Sequence, residues 1–184
     1  MKARCMLTID NTVLLIVDVQ GKLAHLMHAK EHLFENITKV IKGAQSLDVP
    51  ILLAEQNPAG LGPTIPALIG LFTNPKPISK TSFSCCGNKR FLKELTVLHP
   101  ENVLIAGIET HVCVYQTARD LIKADYTVEI IADAVSSRTV ENKCIGLEKI
   151  RDAGAQITSV ETALFELLGT AEGDKFKRIL EIVK

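Results

Sequence analysis

Short, unbroken apolar runs alternate with amphipathic helical stretches along the whole chain, and this alternation restricts the fold more than any other feature. The runs are 13–17 (VLLIV), 51–54 (ILLA), 103–106 (VLIA), 128–132 (VEIIA) and, more weakly, 155–160 (AQITSV). They do not alternate apolar with polar residues, so each strand is expected to be covered on both faces, as in a parallel sheet buried between helices. Between the runs, Leu33, Ile37, Val40, Ala44 and Leu47 recur at helical spacing. So do Val114, Thr117, Ala118, Leu121 and Ile122; Val140, Cys144, Leu147 and Ile150; and Phe176, Ile179, Leu180 and Val183. Right-handed βαβ crossovers then predict an α/β fold, a three-layer α/β/α sandwich. Its sheet is expected to be six-stranded and mostly parallel, in the order 3-2-1-4-5-6. No repeat or composition break divides the chain, so residues 1–184 are expected to form one domain.

One stretch departs from the rhythm. Residues 55–77 carry five prolines and three glycines, which predicts a loop over the carboxyl edge of the sheet with one short turn at 66–71. The charge balance is even, 21 basic against 21 acidic residues. That argues against a nucleic-acid partner bound through bulk positive charge. The five cysteines, at 5, 85, 86, 113 and 144, form no CxxC pair, so neither a disulfide framework nor a structural zinc site is expected. A reducing, cytoplasmic location is expected from this, and from an N-terminal stretch without a signal-peptide h-region. No apolar run is long enough for a bilayer, so no membrane partner is expected.

In an open parallel sheet, ligands bind beyond the carboxyl ends of the strands, so the residues following each run are the candidates. Asp18 follows the first run in LLIVDVQ. It is either a functional carboxylate or a cap, because a buried charge needs a partner. Cys113, in GIETHVCVYQTARD, falls in the first turn of the helix after the third run. There the free N–H groups and helix dipole favour a thiolate, although an inert buried thiol is the ordinary alternative. Lys80, in ISKTSFS, ends a short apolar segment at 77–78. Pointed inward it would lower the pKa of both Asp18 and Cys113; otherwise it is a surface lysine.

The segments IVDVQ, SKTSFS and GIETHVCVYQTARD, in this order, together with ADAVSSR at 132–138, resemble the isochorismatase-like hydrolases, often called cysteine hydrolases. The likeness runs from Thr12 to about Leu168. AEQNPAGLGPT at 54–64 and GIETHVCV at 107–114 most resemble isochorismatase domain-containing proteins of unassigned substrate. The resemblance implies an Asp-Lys-Cys triad at Asp18, Lys80 and Cys113. It also implies a cis peptide at Glu109–Thr110 that turns N–H groups around Val112 and Cys113 into an oxyanion hole, and assembly as a homo-oligomer. Nicotinamidase relatives bind a metal through an Asp/His cluster after the second strand. The equivalent AEQNPAGLG has no histidine, so no metal and no cofactor are expected. True isochorismatases lack the nucleophilic cysteine. Cys113 therefore points to acyl or related C–N chemistry on a small molecule, through a thioester. The alternative is a catalytically idle binding or scaffold protein of the same fold.

Other polar residues are open to two readings. Gln20 either binds substrate or caps the next turn. Glu55 and Gln56 either line the pocket or face solvent, and Phe83 either stacks on substrate or packs. His111 is expected in a supporting role, Cys85 and Cys86 as buried thiols, and Asp133 and Arg138 as structural groups. The strand order leaves one difficulty: Lys80 lies two strands from Asp18, about 10 Å away at the usual strand spacing.

Overall fold

The computed structural model describes residues 6–184, so Cys5 lies outside the described residues. Six strands form one parallel sheet in the order β3-β2-β1-β4-β5-β6, the order read from the sequence. They are β1 Thr12–Val17, β2 Ile51–Gln56, β3 Ile78–Lys80, β4 Asn102–Ile108, β5 Thr127–Ser136 and β6 Gln156–Thr158. β1 and β4 are buried at every position, as their lack of alternation requires. The helices are α1 Gly21–Ala24, α2 Lys30–Leu47, α3 Pro58–Leu61, α4 Pro66–Ile69, α5 Lys89–Leu98, α6 Tyr115–Lys123, α7 Val140–Asp152, α8 Val160–Leu168 and α9 Gly173–Val183.

Alternate residues of each strand feed two cores. Leu14, Ile16, Leu104 and Ala106 meet Leu33, Ile37, Val40 and Leu47 of α2 and Ile179 of α9. Val13, Leu15, Val103 and Ile105 meet Phe91 of α5, Leu121 of α6 and Ile150 of α7 on the other face. The C-terminal stripe thus packs within its own chain, but on α2 and α8 and not on the sheet as expected, with Ile179 its one fully buried member. Local signals fix the helix starts: Asn88, Thr139 and Ser159 accept backbone N–H groups at the heads of α5, α7 and α8. Asp133 Oδ1 accepts the N–H of Val160, the structural role expected for it.

Two expectations need correction. The 55–77 stretch holds a helical turn at Pro66–Ile69, as expected, and a second at Pro58–Leu61 that was not; both begin on the proline, whose fixed φ suits a first helical turn. In α7, Val140 and Cys144 are exposed, while Gly146 and Ile150 are buried. The helix packs through a glycine, because its neighbour is backbone: a Cβ on Gly146 would lie 2.7 Å from His111 N and 2.8 Å from Thr110 C.

Gly107 shows the same economy within the sheet. It adopts φ 121°, and a Cβ there would sit 2.1 Å from the carbonyl oxygen of Val17. β4 can therefore lie against β1 at the last step before the Cys113 turn only as glycine. Gly107→Ala is expected to cost on the order of 3 kcal/mol or more, from backbone strain and overlap together. A lower urea midpoint at unchanged m-value is the measurement.

Candidate active site

Three strand ends deliver the site. β1 ends where the Asp18 N–H donates to Ala54 O at 3.1 Å, and Asp18 itself takes φ 54°. Asp tolerates that left-handed backbone better than most residues, and it ends the in-out alternation of the strand. β3 ends at Lys80, paired in register with Gln56. β4 runs into a cis peptide at Ile108–Glu109 and then a single wide turn, Thr110–Val114, closed by the Tyr115 N–H to Thr110 O. The cis bond lies one residue earlier than expected at Glu109–Thr110. The strand stays paired through Ile108, opposite Ser136, and Glu109 already heads the turn, its carbonyl accepting the N–H groups of Val112 and Val114. Such widened turns recur at functional sites.

Lys80 crosses the two-strand gap. Its Nζ lies 2.6 Å from Asp18 Oδ2, with both side chains almost wholly buried. The span is shared, because lysine and aspartate extend toward each other above β2. The same ammonium lies 2.9 Å from Gln56 Oε1, 3.0 Å from Phe83 O and 3.2 Å from Ser82 O. Three N–H donors thus face four acceptors. Lys80 is saturated, and acts as a fixed charge.

Asp18 Oδ1 is buried without a hydrogen bond of good geometry, and the Cys113 thiol lies close enough to interact with the carboxylate as a donor. The Cys113 sulfur is 3.9 Å from Gln56 Oε1. Burial pushes the Asp18 carboxyl above its ordinary range, against the opposing pull of Lys80. Burial first, and the charge of Asp18 second, push the Cys113 thiol up as well. This reverses the lowered values expected from an inward lysine: desolvation outweighs the attraction, and the resting sulfur is a thiol. Cys85 and Cys86 are raised by burial to about 12 and about 11; Cys85 is the buried thiol expected, whereas Cys86 is only half-buried.

The remaining candidates divide. Gln56 belongs to the site, its Nε2 tied to Thr81 O at 2.9 Å so that Oε1 faces Lys80 and the sulfur. Phe83 is exposed beside Lys80's loop, free to meet a ligand. Gln20 and Glu55 do not reach the sulfur. Gln20 is fully buried and spent on backbone, donating to Gln56 O and Gly62 O and accepting the Gln56 N–H at 2.6 Å. Glu55 Oε1 takes the N–H and hydroxyl of Thr64. Both staple the proline-rich stretch, because its irregular backbone needs partners that no strand supplies. Val112 is corrected too, since its N–H is already committed to Glu109 O. His111 Nδ1 pairs with Ser137 Oγ at 2.9 Å, and Arg138 Nε bonds Glu109 Oε1 at 3.0 Å; both brace the turn. Sequence reasoning missed the carbonyls of Ser82 and Phe83, which carry no side-chain signal, and Gly146, whose place inside a helical stripe was a usable sign of close approach. Among the described residues no group of three or more His, Cys, Asp or Glu side chains is placed to hold a metal ion, and no helix is long and apolar enough to cross a membrane.

A family model for the isochorismatase domain matches residues 12–162. Isochorismatase domain-containing protein 2 of Xenopus laevis is 32% identical, over 94% of this chain and 83% of that protein. The structure of MAR1 ribonuclease from Caenorhabditis elegans superposes with a TM-score of 0.91 at 32% identity, covering 97% of this chain and 92% of that one. The YcaC gene product of Escherichia coli, an octameric hydrolase of unknown specificity, shares the fold with a TM-score of 0.92 at 22% identity, covering 99% and 91%.

The ion pair yields a pH-dependent prediction. Lys80→Met leaves a buried carboxylate unpaired, a loss of about 3–5 kcal/mol at pH 7. Without the ammonium, the folded-state pKa of Asp18 rises further above its unfolded value of about 3.9. A carboxyl raised in this way is fully accommodated below the unfolded pKa, and its contribution is lost as pH climbs toward the folded pKa. The deficit against wild type is therefore expected to be small at pH 4 and to grow toward pH 7, read by urea melts across that range.

Proposed function

This chain belongs to the isochorismatase family, and from that premise we propose that it is a cysteine hydrolase cleaving a small amide or related C–N substrate through Asp18, Lys80 and Cys113. The observation that carries the reading is a buried carboxylate bonded on one side to a saturated ammonium and facing a thiol on the other. Asp18 takes the thiol proton as sulfur attacks the carbonyl carbon, and the carbonyl electron pair moves onto oxygen. The Cys113 N–H, within the turn, is the oxyanion donor we assign; Val112 is occupied. On collapse the C–N bond breaks, and the nitrogen leaves with the proton held by Asp18. Asp18 then removes a proton from water, whose hydroxide attacks the thioester. The C–S bond breaks, and sulfur recovers its proton as acid product departs. Lys80 keeps Asp18 oriented, and its charge offsets that of the carboxylate whenever Asp18 is ionised.

We also read the chain as assembling with copies of itself, as the octameric Escherichia coli protein does. RNA belongs in the substrate panel because of the worm protein's name, but a thiol–carboxylate pair suits acyl transfer better.

Wild type, but neither Cys113→Ala nor Asp18→Asn, is expected to turn over members of an amide panel, with a Cys113 acyl adduct seen by mass spectrometry. The pH profile is a second check. With Asp18 raised, the acid limb of kcat/KM should lie above the ordinary aspartate value of about 3.9. With Cys113 raised, activity should hold through pH 8.5. A limb that instead rises near pH 8.5 would mark a free thiolate working without Asp18, and would reject the mechanism.

A further inference from the structure

Gln56 touches two members of the triad, Lys80 and Cys113. Its Oε1 accepts from Lys80 Nζ at 2.9 Å and lies 3.9 Å from Cys113 Sγ. It also retains exposure beside the sulfur, whereas Asp18 and Lys80 are each only 2% exposed. Any group held against the sulfur therefore meets Gln56.

The amide cannot turn over. Nε2 donates to Thr81 O at 2.9 Å, and Oε1 faces an ammonium that has no lone pair to offer a flipped NH₂. The main chain is held as well, with the Gln56 N–H on Gln20 Oε1 at 2.6 Å and the Gln56 carbonyl on Gln20 Nε2 at 3.2 Å. What is presented beside the nucleophile is thus an oxygen locked as an acceptor. Its nearby donors are the ammonium, which has three other acceptors, and the thiol, which loses its proton when it reacts.

We infer that Gln56 is the specificity-determining residue of this site, an acceptor that reads an N–H on the group attached to the reacting carbon. Once the thiol proton has passed to Asp18, Oε1 stands beside the new S–C bond with a lone pair unanswered. A substrate nitrogen two bonds from sulfur can answer it with an N–H, and its own lone pair is left for the proton on Asp18. The oxygen of an ester or a fully alkylated nitrogen has no hydrogen to give, and would leave acceptor facing acceptor or alkyl. The substrate class is therefore amides that keep at least one N–H, preferred over esters and tertiary amides. The substrate class rests on the hydrolase reading above; the acceptor role does not.

The test uses two alkylating probes, iodoacetamide and N,N-dimethyl-iodoacetamide, which differ in an N–H on the group attached to the attacked carbon, one bond farther from sulfur than in an amide adduct. Rates of Cys113 labelling are followed by peptide mass spectrometry, with glutathione giving the intrinsic ratio of the two reagents. Wild type should favour iodoacetamide by about 3–10-fold more than glutathione does, the range of one neutral hydrogen bond. Gln56→Met should return the ratio to that of glutathione, and Gln56→Glu, which keeps an acceptor oxygen, should retain the preference. A purely structural role for Gln56 would slow both reagents alike and leave the ratio untouched. A wild-type ratio equal to that of glutathione, which needs no variant to measure, or equal ratios in wild type and Gln56→Met, overturns the inference. Absence of amide turnover with the ratio intact would instead remove the hydrolase reading and leave the acceptor role standing.

Discussion

The buried contact between Asp18 and Lys80 governs the whole carboxyl edge of this sheet. An ammonium taken out of water must have every N–H answered, and a carboxylate beside it must be held at the right distance. The chain meets the first need with Gln56 and with the carbonyls of Ser82 and Phe83, which fixes the loop after β3. It meets the second by ending β1 in a left-handed residue. The loop, the strand end and the glutamine are consequences of one ion pair. Lys80, so fully occupied, is left with charge alone to offer chemistry.

The polar residues at the strand ends fall into two groups, and strand parity sorts them. Ala54 faces the core that contains Cys113, while Leu53 faces the opposite core. Gln56 follows Ala54 and reaches the sulfur; Glu55 follows Leu53 and reaches Thr64. Gln20, two residues beyond Asp18, is consumed by Gln56 and Gly62. The proline- and glycine-rich stretch is therefore a tied cover, its backbone donors and acceptors met by side chains from the strands it overlies.

This sorting also explains what the sequence could disclose. Strand order, the two-sided burial of β1 and β4, and the arrival of Asp18, Lys80 and Cys113 at strand ends all follow from apolar runs and chain direction, which are local or topological properties. The reach of Lys80 across β2 did not follow, because spacing between strands says nothing of how two side chains share a gap. Gln20 and Glu55 were left open for a related reason: residue type shows that a group can hydrogen-bond, but not which partner takes it. The cis bond was placed one residue late because it was carried over from the resemblance and not read from the residues; it precedes Glu109, whose carbonyl heads the following turn. The lowered pKa values expected for Asp18 and Cys113 counted the charge of Lys80 and left out the burial that outweighs it.

The same energetics bear on whether the fold is at work or idle. A buried ion pair is at best about neutral for stability against apolar residues of the same size, and replacing one often stabilises by about 1–4 kcal/mol. Here the pair carries a further liability, a buried carboxylate oxygen without a good hydrogen bond. A scaffold has no use for either, and substitutions to leucine or methionine would relieve both. Beside a thiol the unanswered oxygen is in place to take a proton, and the saturated ammonium has no N–H left to bond it. A feature that weakens the fold and serves one sulfur is best understood as chemistry, which is why the enzyme reading is preferred to the scaffold.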